Sequence, residues 1–123
     1  MNSSAESIAI AWIEKWRKPP EAHEPTENDL DDSLPGIDPR LALEAIVEVL
    51  GRIPADTTSR HFQVLAAGPL EDLIAFHGIE LLSEIETHAR RSPQFRLLLN
   101  GVWFDHASTP VREHLKKYLG ARW

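Results

Sequence analysis

Two adjacent carboxylates and an imidazole stand within one glycine-framed stretch, Ala67-Gly68-Pro69-Leu70-Glu71-Asp72-Leu73-Ile74-Ala75-Phe76-His77-Gly78. Such a set holds the groups of general acid–base chemistry, because carboxylate and imidazole exchange protons near neutral pH. Glu71, Asp72 and His77 are therefore the candidate ligand site. The same residues also read as the punctuation of one short helix. With Gly68 as N-cap and Pro69 as first helical residue, Glu71 reaches back to the cap and favours the positive helix end. Asp72 shares that field more weakly. His77 falls at the negative end, and Gly78 supplies a left-handed residue that closes the helix. Because Leu70, Leu73, Ile74 and His77 share one face, the imidazole is expected half-buried and bonded to backbone or a carboxylate.

Other chemistry-bearing groups are weaker. Glu80, Glu84 and His88 stand at i, i+4 and i+8, an O/O/N set of the kind carboxylate bundles use for metals. Here a single helix supplies them, and Arg90 and Arg91 are placed to pair with Glu84 and Glu86 instead. Asp105, His106 and Ser108 occur in order, yet a nucleophilic triad needs these groups to converge from separate elements. Ser108 or Thr109 capping a last helix is the plainer account. With no cysteine in the chain, thiolate metal sites and disulfides are excluded. No catalytic residue is assigned, and neither metal nor cofactor is expected.

Charge points elsewhere. Glu21, Glu24, Glu27, Asp29, Asp31, Asp32 and Asp38 form a run with no Lys or Arg among them, and the chain carries a net charge of −6. Such a run is a solvated loop or a surface that steers a basic partner. Net acidity disfavours nucleic acid, although Lys15-Arg17-Lys18 and Lys116-Lys117 with Arg122 are local basic clusters. Trp12 and Trp16 read as anchors of a first helix, while Trp103 and Trp123 read as candidates for an exposed partner contact.

The elements that must position these groups are helical. Asp38-Pro39, Gly68-Pro69, Ser92-Pro93 and Thr109-Pro110 each pair a capping residue with the proline that suits a first helical turn. Ala5, Ile8, Trp12 and Trp16 keep a helical period, as do Leu43, Ile46, Val47 and Leu50. Phe62 and Leu65 continue the pattern in a helix capped by Asp56 or Thr57 and ended at Gly68. Beyond Gly78 come Ile79, Leu82, Ile85 and Ala89, then Phe95, Leu98 and Leu99 up to Asn100-Gly101, then a helix from about Pro110 to Leu119. Residues 19–37 read as an acidic, proline-rich loop. No strand alternation is sustained. The expectation is a single all-α domain over 1–123, with six to seven short antiparallel helices packed as a bundle or as stacked pairs. The start of the chain lacks a signal peptide's pattern and no segment is apolar enough to span a bilayer, so a cytoplasmic protein away from membranes is expected.

Val64 to Trp103 reads VLAAGPLEDLIAFHG, then a helix, then ARRSPQFRLLLNGVW. This block resembles a family of small, uncharacterised bacterial helical proteins with a core L-A-A-G-P-L-E-D-L-x-x-x-H-G followed by A-R-R-x-P-x-F-R-x-x-L-x-G-V-W. Trp12-Ile13 and Trp16 resemble the W-I-x-x-x-W helix that often precedes it. The resemblance implies a helical fold and a bacterial setting, and no reaction. Gly68, Pro69, Glu71, Asp72, His77, Gly78 and Trp103 are then shared surface or shared architecture.

Two functions compete. One is a non-catalytic protein that binds a protein partner, basic where the acidic run makes the contact, as an immunity-type inhibitor or an adaptor, through Glu21, Glu24, Glu27, Asp29, Asp31, Asp32 and Trp103. The other is a small enzyme or a ligand- or metal-binding domain centred on His77, Glu71 and Asp72.

Overall fold

The computed structural model describes residues 3–24, 29–120 and 123, and these are all-α, with no strand among them. In chain order come α1 (Ser3–Lys15), a 3-10 turn (Pro20–Ala22), α2 (Leu34–Ile37), α3 (Pro39–Leu50), α4 (Arg60–Leu65), a π-helical turn (Ala66–Leu70) and α5 (Glu71–His77). They are followed by α6 (Leu82–Arg91), α7 (Pro93–Leu99), α8 (Thr109–Leu115) and a 3-10 turn (Lys116–Tyr118). The segment α4–π turn–α5 is one unbroken rod. The described residues therefore make seven helical rods, within the six to seven expected, although two expected helices are fused into one and α2 is additional.

Local capping starts two of them as expected. Asp38 Oδ1 accepts from Leu41 N (3.1 Å) with Pro39 at the first helical position of α3. Ser92 Oγ accepts from Phe95 N (3.1 Å) ahead of Pro93 in α7. Each bond satisfies one amide that the helix itself leaves without a partner. The last helix differs: Ser108 holds the cap position of α8 without a side-chain cap bond, and Thr109 is already helical. Asp56 likewise caps no helix, because it closes a turn on Thr58 (N 2.9 Å, Oγ1 2.8 Å) and α4 begins after Ser59.

Gly68-Pro69 is the main correction. Proline has no amide proton and its ring pushes away the carbonyl four residues back, so a helix usually stops there. Here the turn widens instead, and Glu71 N reaches Ala66 O, five residues back. Ala66, Pro69 and Leu70 are buried, so packing holds the rod together across the proline. Gly68 is thus not an N-cap. Gly78 is corrected too, since its φ of −59° is right-handed. A glycine is needed there because a Cβ would strike the Ile74 carbonyl and lie 3.1 Å from Val111 on α8. A further departure is α2, which lies inside the segment expected to be loop.

The central element is α3, which touches α1, α2, the π turn, α5 and α7. It is buried at Ala42, Leu43, Ala45, Ile46, Val49 and Leu50, apolar around most of its circumference as a central helix must be. One apolar cluster draws on every α-helix, from Trp12 on α1 through Phe62, Leu73, Ile85 and Phe95 to Val111 on α8. No polar or charged residue of the described chain is buried in it. The chemistry of this protein therefore lies at the rim of the core.

The end of α7 shows how completely that rim is used. Its last four carbonyls need partners from outside the helix. Arg96 O takes Asn100 N (3.1 Å), Leu98 O takes Gly101 N (3.0 Å), and Leu99 O takes Val102 N (3.2 Å). The remaining carbonyl, Leu97 O, takes the indole N–H of Trp123 at 2.7 Å. That indole also packs against Phe62, ring centres 5.3 Å apart, so Trp123 is an internal anchor. Gly101 makes room for it, because a Cβ there would collide with the indole, including Cη2 at 2.6 Å. Gly101→Ala is expected to cost roughly 1–3 kcal/mol by overpacking. In a Trp123→Ala background the same change should be nearly neutral. Urea unfolding of the four proteins in that cycle checks both.

Candidate functional site

Glu71 opens α5, and its Oε1 accepts from the backbone N of Trp103 at 2.9 Å. It does not reach back to an N-cap, since the helix is continuous on its N-terminal side. The carboxylate instead pins the extended 102–104 segment across 32 residues of sequence. His77 Nδ1 lies 3.0 Å from Glu80 Oε1, with the His77 side chain 21% exposed. This is the half-buried, carboxylate-bonded imidazole that the apolar row predicts. Six residues apart on an α-helix, Glu71 and His77 point about 120° away from each other. Asp72 is half-buried, and its carboxyl is pushed above the usual aspartate value by burial, then by the negative charges of Glu71 and Asp31. The acid pair and the imidazole serve different neighbours.

The Glu80, Glu84 and His88 set is dispersed in the same way. Glu80 sits in the turn before α6 with His77, and Glu84 Oε1 lies 3.3 Å from Arg40 Nη1. His88 rests against Phe95, ring centres 5.5 Å apart, with its pKa lowered by burial and then by Arg91. The expected Arg90 and Arg91 pairings with Glu84 and Glu86 give way to Arg40–Glu84 and Lys117–Glu86 (3.3 Å). Arg96 instead binds the end of α6, donating to Ala89 O (2.7 Å) and Arg90 O (3.2 Å). Among the described residues, no three His, Asp or Glu side chains are grouped to hold a metal ion. Asp105 and His106 are exposed, while the Ser108 hydroxyl is buried without a hydrogen-bond partner in the described chain.

The acidic run divides into two kinds of residue. Asp31 Oδ1 accepts from the Trp12 indole (2.8 Å), and its Oδ2 accepts from the Trp16 indole (2.8 Å) and Lys15 Nζ (2.8 Å). Asp29 Oδ2 takes the same ammonium at 3.0 Å. These side chains are only 12–18% exposed. Burial acts against the Lys15 charge, but the hydrogen bonds and charges of Asp31 and Asp29 outweigh it and raise its pKa. By contrast Glu21, Glu24 and Asp32 face solvent, and Asp38 is exposed while capping α3. Glu27 and Arg122 lie outside the described residues. The inward pair had a legible signal: Trp12, Lys15 and Trp16, at i, i+3 and i+4, put three donors on one helix face.

Exposed apolar side chains are the feature sequence reading missed. Trp103, 56% exposed, is on the surface as expected. Ile37, Phe76 and Ile79 are more exposed still, at 72%, 76% and 63%. Periodicity places Ile79 in the apolar row of α6, but α6 begins only at Leu82. A hollow of about 470 Å³ lies between α1 and the acidic segment, lined among others by Ile8, Ala11, Trp12, Lys15, His23 and Asp29. Neither Glu71, Asp72 nor His77 lines it. No helix among the described residues is long and apolar enough to cross a membrane.

With this geometry in place, a family comparison covers most of the chain: residues 22–121 match the model of a family of unknown function, DUF6869, and the protein belongs to that family. The match begins beyond α1, so the helix that holds Asp29 and Asp31 lies outside it. No curated protein and no solved structure matches the chain.

Two outcomes test this assignment of charges. Asp31→Ala removes the acceptor of three donors and should cost about 2–3 kcal/mol at neutral pH. Part of that difference belongs to Lys15. Its stabilisation is full below the unfolded value of 10.5 and is lost as pH rises through the raised folded pKa. The gap between variant and wild type should therefore narrow in alkali, as read by thermal melts across pH. Asp72 has the same slope for a different reason, because here the ionised form is the one disfavoured. Because its folded pKa is raised, the native state holds the proton longer, and stability falls as pH climbs from the unfolded to the folded value. Asp72→Asn should be more stable than wild type at pH 7 and equal to it below about pH 3, where both states are protonated.

Proposed function

We propose that this is a non-catalytic protein-binding protein that meets its partner through an acidic surface. One observation carries the reading. Within the acidic run, Asp29 and Asp31 are consumed internally, whereas Glu21, Glu24 and Asp32 stay exposed. A fold that needed this acidity only for itself would have no use for the outward three. Unpaired exposed carboxylates of one sign raise association rates with a basic partner and suppress acidic ones. Exposed Trp103 adds an aromatic of the type that anchors interfaces. An immunity-type inhibitor of a basic bacterial protein, or a cytoplasmic adaptor, are the concrete forms of this proposal. The acid–base alternative draws less support, because Glu71 and His77 each hold a neighbour that positions the chain.

The test neutralises only the outward residues. A Glu21→Gln, Glu24→Gln, Asp32→Asn variant keeps the Lys15 network and should fold as wild type by circular dichroism. In pull-downs from a lysate of the source cell, it should lose a partner that wild type retains at low salt and releases at high salt. Equal capture by the two proteins would remove the acidic surface from the account.

A further inference from the structure

Ile37, Phe76 and Ile79 are the three most exposed large apolar side chains among the described residues. α2, which ends at Ile37, packs against α5, which carries Phe76 and leads to Ile79. Asp31 lies beside the π turn, its Oδ1 3.8 Å from where a Gly68 Cβ would stand, and its charge is felt by Asp72. From there the chain runs along α5: α2 packs against α5, and Arg40 then reaches Glu84 on the first turn of α6. Phe76 lies one helical turn beyond Asp72, and Ile79 lies nearly one turn further, just past the end of α5. Ile37, the last residue of α2, falls between the Asp31 and Arg40 ends of that path.

The rim of this patch is acidic. Asp32, Asp38 and Glu80 are exposed and Asp72 is half-buried. Arg40 is already engaged by Glu84, and the His77 imidazole lies against Glu80. We infer that Ile37, Phe76 and Ile79 form the apolar centre of a docking surface for a basic amphipathic helix of a partner protein. The inference rests on the protein-binding reading and adds to it the place and the partner's chemistry. Exposed apolar centres with polar rims are where partners bury area, and an aromatic such as Phe76 supplies the most per residue. Charge selects the occupant. A second copy of this chain would set Asp38 and Glu80 against like charges, while a helix with lysine or arginine flanking its apolar stripe meets carboxylates on both sides. Those carboxylates also repel an anionic lipid surface.

A synthetic 18-residue leucine/lysine amphipathic helix is the probe, with a leucine/glutamate helix of identical pattern as its control. Titrated into the ¹⁵N-labelled full chain, the lysine helix should move amide signals around residues 37, 76 and 79, and the glutamate helix should not. Phe76→Ser with Ile79→Ser should weaken binding about tenfold or more, and Ile10→Ser on α1 should leave it unchanged. These positions are exposed, and matching spectra away from the patch confirm folding. Glu80→Gln should weaken binding and flatten its salt dependence. Shifts centred on Glu21 and Glu24 instead would overturn the docking surface while leaving the acidic-surface reading standing. No binding anywhere would remove both. Self-association in sedimentation that Phe76→Ser abolishes would assign the patch to a second copy and overturn the inference.

Discussion

One carboxylate ties the first helix, which packs its apolar face on α3, to the acidic segment that follows it. Asp31 receives two indole N–H groups and one ammonium, and Asp29 shares that ammonium from the other side. Charge-assisted hydrogen bonds of this kind are about twice as strong as neutral ones, and partial burial shields them from salt. The arrangement seats Leu30 and Leu34 in the core, and the Asp31 side chain beside the π turn. It also lowers the electrostatic cost of the acidic run. Two of the carboxylates share the single positive charge of Lys15, so the outward ones face less negative charge. What looks in one dimension like a uniform band of negative charge is in three dimensions a lining and a face.

The glycines and acids of the family-like block have the same scaffolding character. Gly78 lets α8 approach the end of α5, and Gly101 admits the Trp123 indole to the last open carbonyl of α7. Glu71 ties α5 to the backbone of Trp103, and Arg96 closes the end of α6. Arg96 and Trp123 satisfy carbonyls that helix geometry leaves unpaired, Glu71 satisfies a loop amide, and the two glycines clear space for neighbouring side chains. A chain of many short helices has many such ends relative to its length, so polar residues are in demand as architecture. Glu71, one of the groups most suggestive of chemistry, is spent on that demand, while His77 meets the Glu80 carboxylate. What points outward is different: carboxylates at Glu21, Glu24 and Asp32, and exposed apolar side chains at Ile37, Phe76, Ile79 and Trp103.

Features decided within a few residues were legible before folding. Asp38 and Ser92 bond to amides three residues on, and the apolar periods of α1 and α3 repeat within each helix, so spacing suffices. The half-buried state of His77 followed from its place at the end of an apolar row. Features decided by distant contacts were not legible. Whether Gly68-Pro69 stops a helix depends on the burial of Ala66, Pro69 and Leu70 against other elements, and packing prevailed over the local preference of proline. The partner of Glu71 lies on a separate segment that no spacing rule reaches. The exposure of Ile79 depends on where α6 starts, which periodicity alone placed too early.

The most direct test of the Asp31 junction is solvent exchange of the indole N–H protons, followed by nuclear magnetic resonance on the intact chain. The account predicts that the Nε1–H signals of Trp12 and Trp16 are slow to exchange, shifted downfield, and lost together from the protected set in Asp31→Ala, which removes both acceptor oxygens. Free-indole exchange rates at both tryptophans in the wild-type protein, or protection that survives the substitution unchanged, would contradict it.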